Sequence, residues 1–94
     1  MKVSHVKVSR KRFIAVKDNR TKVLMDIKIP TWSNGKQLTR QEQIEYCWRP
    51  FSEIKQARIL SWSTKNTAIA ALKQSYYTEN INYEIVEMTE TFEV

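Results

Sequence analysis

Few side chains in this sequence are of types that could do acid–base or nucleophilic chemistry. A nucleophile needs a base within hydrogen-bond reach and a third group to orient that base. His5 is the only histidine and Cys47 the only cysteine. His5 reads as a solvated surface group, and Cys47, between Tyr46 and Trp48, as a small buried apolar residue. Asp18 and Asp26 fall in different parts of one predicted hairpin, where Asp18 has a turn to stabilise. One cysteine leaves no internal disulfide and no thiolate-rich zinc site, and one glycine leaves no glycine-rich phosphate loop. The expectation is a protein that is not an enzyme, with no catalytic residue, no metal ligands and no cofactor.

The residues that could bind something are basic, and they crowd the front of the chain. Residues 1–40 hold eleven Lys or Arg against two Asp, whereas residues 79–94 hold five Glu and no cation. Such a layout predicts a dipolar molecule whose field steers a polyanion to one end. Lysine and arginine bind phosphates by displacing condensed counterions, and an exposed aromatic ring can stack on an unpaired base for about 1–3 kcal/mol. The candidate contacts are therefore Arg10, Lys11, Arg12, Lys17, Arg20, Lys22, Lys28, Trp32, Lys36 and Arg40. They make DNA or RNA the leading expected partner, reached through an N-terminal β-hairpin. Three Trp and four Tyr support an alternative, since aromatic and Arg side chains also anchor protein interfaces. The chain would then be an adaptor or an inhibitor, of the kind that viruses and mobile elements direct against a host enzyme or defence complex.

These residues must be positioned by one small domain. A chain of 94 residues buries roughly 60–65 % of its unfolded surface and has room for a single core over 1–94. A homodimer would be a natural supplement to so small a core. No apolar run approaches the ~20 residues that span a bilayer, and the first residues lack an apolar signal core, so no membrane partner and a cytoplasmic location are expected.

Arg12–Lys17, the turn cluster Asp18–Thr21 and the alternating stretch Lys22–Ile29 read as a β-hairpin. Val3, Val6 and Val8 suggest an additional edge strand before it. Pro30 ends the hairpin and Ser33–Lys36 forms a second turn. Thr39 and Glu42 match a capping box, so a helix should run from there until Pro50 stops it. Ala57–Trp62 fits a strand or a helical turn, and we assign a strand because a helix start follows it. Ser63 or Thr64 to Tyr77 forms the second helix, with Ala68, Ile69, Leu72 and Tyr76 on one stripe. Ile81, Tyr83 and Ile85 make the last strand. The order ββαβαβ predicts an α+β domain, an antiparallel sheet with two helices packed on one face.

The segment Leu60–Leu72 resembles the strand-to-helix junction of AP2-type and integrase arm-binding domains, with Trp62, Thr64, Ala68 and Ala71 at the matching positions. In those families a basic hairpin precedes the junction and its sheet lies in the DNA major groove. The resemblance makes Arg12 to Ile29 the equivalent hairpin. It covers about twenty residues, and the stretch Thr31–Lys55 and the closing strand depart from it.

Overall fold

The computed structural model describes residues 7–56 and 58–93. Lys2, Val3, His5, Val6 and Ala57 lie outside the described residues. The chain forms an α+β domain, an antiparallel sheet with both helices on one face.

Strand β1, Lys7–Lys17, turns through Asp18–Thr21 into β2, Lys22–Asp26. Asp18, Asn19 and Arg20 all take the left-handed conformation, at φ 55°, 57° and 64°. The turn closes where the Thr21 amide (3.2 Å) and hydroxyl (2.7 Å) both donate to the Asp18 carbonyl. Val8 does not belong to a separate edge strand. It continues β1, because the last strand, β7 at Glu84–Glu93, lies antiparallel against the whole of it. The register runs without a bulge from Val16↔Glu84 to Lys7↔Glu93.

β1 and β2 pair only at Val16↔Val23 and Lys17↔Lys22. Beyond that they diverge, and the segment from Arg58 to Trp62 enters between them. Its strand β6, Arg58–Ile59, pairs with Met25 and Asp26 of β2, and the Leu60 amide donates to the Leu24 carbonyl at 3.1 Å. Trp62 then exchanges both backbone hydrogen bonds with Phe13 of β1, at 2.8 and 3.0 Å. This insertion corrects the expected extent of β2. The strand stops at Asp26, not Ile29: its last ladder partner among the described residues is Arg58, and residues 27–30 take no strand conformation.

Thr39 caps helix α1, Arg40–Tyr46, through the complete capping box: its hydroxyl accepts from the Glu42 amide, and the Glu42 carboxylate accepts from the Thr39 amide. The helix ends at Tyr46, short of the proline, and Trp48–Pro50 forms strand β5 on the outer edge of β2. Pro50 is tolerated there. Lys22 turns its polar backbone atoms to Lys17, so the Lys22↔Pro50 pair needs no amide from the proline. A 3-10 helix, Phe51–Gln56, leads on to β6. Between β2 and α1 a small hairpin joins β3, Trp32–Ser33, to β4, Lys36–Gln37. Its turn uses positive φ at Asn34 (53°) and Gly35 (78°), as a two-residue hairpin loop requires.

Thr64 caps helix α2, Lys65–Lys73, by accepting from the Thr67 amide at 3.1 Å. α2 is shorter than the expected run to Tyr77. Ser75 accepts from the Tyr77 amide and starts a 3-10 turn at Tyr76–Thr78, while the Thr78 hydroxyl donates to the Leu72 carbonyl and closes the helix end. The helix-bearing face of the sheet packs Ala15 and Leu24 against Cys47, Trp48 and Leu72. The Trp48 indole donates to the Tyr77 carbonyl at 2.9 Å, which satisfies its one polar atom inside the core. The opposite face buries Ile14, Val16, Val23 and Met25, flanked by Ile27, Ile59, Val86 and Met88.

Candidate interaction surface

β1 carries Arg10, Lys11, Arg12 and Lys17, and side chains on a strand alternate between faces, so Lys11 points away from Arg10 and Arg12. Arg10 and Lys17 are also separated by about 23 Å along the strand, at ~3.3 Å per residue. Arg20 and Lys22 sit at the hairpin turn, Lys28 beyond β2, Trp32 and Lys36 on the β3–β4 hairpin, and Arg40 at the start of α1. The ten candidates do not share one face.

The glutamates of β7 lie directly beside the cations of β1. Arg10 pairs with Glu90, Lys11 with Glu87 at 3.9 Å, and Arg20 with Glu84 at 3.4 Å. Lys22 pairs with Asp18, Lys36 with Glu42, and Arg40 with Glu79. Lys17 is only 8 % exposed and is held by Glu45 of α1, with Asp18 at 3.5 Å. Arg12 donates instead to the Ser61 hydroxyl and carbonyl, both at 3.0 Å. The charge poles of the sequence are therefore folded side by side, and the expected dipole is cancelled along the β1–β7 ribbon. Antiparallel pairing of the first described strand with the last is the physical cause.

Among the described residues, Lys7, Arg12, Lys28, Lys65 and Lys73 have no carboxylate partner. They are spread from the ribbon to both ends of α2. Trp32 is 63 % exposed, as its place beside a turn suggested.

Two features of the ribbon are open to a partner. One is a groove of about 690 Å³ where the ribbon meets the 3-10 helix and β6. Ile54, Ile59, Leu60 and Met88 give it apolar surface, and Ile54 is 42 % exposed. Arg58 pairs with Asp26 beside it at 2.9 Å. The other feature is the outer edge of β7, the last strand in the sheet order, which has no strand beside it among the described residues. Phe13 directs its amide and carbonyl at Trp62, so Phe13↔Glu87 is a non-hydrogen-bonded pair and Glu87 turns its own amide and carbonyl outward. By alternation, Ile85, Thr89 and Thr91 do the same.

No family model, characterised protein or solved structure matches this chain. The AP2-like resemblance of Leu60–Leu72 thus stays a local one. Thr64 does cap the helix and Ala68 is buried, while Trp62 pairs with β1 and Ala71 is exposed.

The ionisable groups with shifted acidities stabilise structure. The Thr39 amide and hydroxyl hold Glu42 below the usual carboxylate range. Glu53 is lowered by the two-pronged Arg49 guanidinium, at 2.7 Å for each prong. Burial pushes the Cys47 thiol up to about 11, which keeps it un-ionised at neutral pH. Among the described residues no group of three His, Cys, Asp or Glu could hold a metal ion, and no helix is long and apolar enough to cross a membrane.

Sequence reasoning missed Ile54, Arg58, Met88 and the β7 edge. A usable signal did exist for the last: Glu84, Glu87, Glu90 and Glu93 recur every three residues, and Lys7 and Arg10 of β1 repeat that spacing in antiparallel order.

Proposed function

We propose that this chain is a non-catalytic protein-binding module, an adaptor or inhibitor, that engages its partner through the β1–β7 ribbon and the adjoining groove. The observation that carries this reading is the ribbon itself, where Arg10, Lys11 and Lys17 are already matched to carboxylates and Arg12 to Ser61, while a ten-residue strand has one backbone edge open among the described residues. A phosphate backbone approaching that surface would meet Glu90, Glu87 and Glu84 beside Arg10, Lys11 and Arg20, whereas a protein partner can use apolar groove and open edge together. As part of the same proposal the protein works in the cytoplasm, where a buried free thiol such as Cys47 persists. Photo-crosslinking groups at Ile54 and Thr91, with one at Lys73 as control, test the reading in nuclease-treated lysate. We expect one stoichiometric protein adduct from the first two positions and none from the third. Adducts that vanish with nuclease overturn it.

Nucleic-acid binding is the second reading, favoured by the exposed Trp32 and the net charge of +6. Salt titration of a mobility shift measures it. A hairpin contacting about five phosphates gives a slope of log K against log salt near −4 to −5 on duplex DNA. With Arg10, Lys11, Lys17, Arg20 and Lys22 held by carboxylates, and Arg12 and Lys28 left, among the described residues, as the hairpin's cations without one, we expect a slope no steeper than about −2, equivalent to roughly two phosphates.

A further inference from the structure

The protein-binding reading leaves open what kind of partner fits, and β7 narrows it. A long, straight strand edge invites another strand, and proteins usually blunt such edges with a lysine, a proline, a bulge or a short length. β7 has none of these: it is ten residues long, bulge-free, and contains no Lys, Arg, Pro or Gly. Its charge is of one sign, from Glu84, Glu87, Glu90 and Glu93. Two antiparallel copies of β7 in the register that sets Glu87 opposite Glu90 would bring two carboxylates together for the one cation that each already has from β1, with no cation on either β7 strand to answer the second, and like charges across strands are destabilising. The edge thus discriminates against itself. A basic strand has the opposite outcome, as β1 demonstrates on the inner side of β7, where Arg10 meets Glu90 and Lys11 meets Glu87.

From this charge complementarity we infer that the outer edge of β7 receives an extended, lysine- or arginine-bearing strand of a partner protein, which becomes a further strand of the sheet. This rests on the protein-binding reading and names the partner's chemistry. The outward amides and carbonyls of Ile85, Glu87, Thr89 and Thr91 supply the main-chain hydrogen bonds, and the glutamates select basic side chains at every third position.

The test uses the full chain and a blocked ten-residue peptide of Val and Thr with Lys at every third position, titrated by fluorescence anisotropy and followed by amide hydrogen exchange. We expect saturable binding with slowed exchange at Glu87, Thr89 and Thr91, and at least tenfold weaker binding of a peptide with Glu in place of Lys. Thr89→Pro removes an outward donor that β1 does not use, and is expected to weaken binding at least tenfold. Should that backbone change perturb folding, Glu87→Lys with Glu90→Lys provides the second variant, expected to reverse the peptide preference. Equal affinity for the Lys and Glu peptides, or no binding of either, overturns the basic-strand inference. Neither result touches the crosslinking test, so the broader protein-binding reading fails or stands separately.

Discussion

Lys17 shows how a single charge changes meaning on folding. It ends β1 with its stem against the helix-bearing face and its ammonium between Glu45 and Asp18. A phosphate would have to displace two carboxylates to reach it. Lys17→Met is therefore expected to leave any salt slope for nucleic acid unchanged. Thr39 and Glu42 form the most explicit local signal in the chain. Thr39→Ala is expected to cost about 1 kcal/mol in urea denaturation, the usual value of a lost N-cap. Glu42 and Glu53 are both held below their ordinary range, so their contribution is present above the unfolded value and is lost as pH falls through the folded one. Midpoints of urea unfolding should accordingly fall on acidification, by less in Glu53→Gln. Cys47 has the opposite sign. Its raised pKa means that the folded state resists ionisation, so this contribution holds at neutral pH and declines as pH climbs from about 9 towards about 11. A disulfide exchange reagent at pH 7.5 should label Cys47 slowly in the native protein and promptly in urea.

At the scale of elements, the parts read correctly from sequence are those fixed by local chemistry. The capping box at Thr39, the cap at Thr64, the turns at Asp18–Thr21 and Ser33–Lys36, and the alternation of Val23 and Met25 each specify their conformation within a few residues. What escaped was fixed by distant partners. Thr89, Glu90 and Thr91 show no apolar periodicity, and they are strand only because β1 lies beside them. Pro50 looked like a helix stop, yet its strand role follows from the edge it occupies. The strand expected within Ala57–Trp62 is present as β6 and the Trp62 bridge, but its entry between β1 and β2 was not legible, because nothing local says that those two strands diverge. The candidate site suffered most, since ion pairing depends on register and register was unknown. The β3–β4 hairpin offers an element-level test. An added Cβ at Gly35 meets nothing within 4 Å, so Gly35→Ala carries only the backbone penalty of φ +78°. At about 1 kcal/mol, that should speed exchange of the Leu38 amide, which donates to the Thr31 carbonyl at 2.8 Å, by roughly fivefold, while amides of β1 keep their protection.

At the scale of the whole molecule, the ribbon sets the shape. The radius of gyration is 15.9 Å and the principal extents are 59 × 31 × 22 Å, against about 12 Å for a compact chain of this length. Small-angle scattering of a monomer should give a value near 16 Å, and a value near 12 Å would mean that the ribbon folds back on the body. The extension puts backbone edge far from the core, which suits recognition better than stability.

The pairing of Lys7 with Glu93 also constrains how the chain is made. During synthesis β1 emerges before β7, so one of its two sides gains its neighbour only as residues 84–93 leave the ribosome. Until then the apolar centre of the sheet, Ile14 to Val16, lacks a flank, and nascent chains would lean on chaperones at that stage. Contacts so remote in sequence also slow the search for the native state, so refolding from denaturant should be far slower than that of a helical chain of equal length.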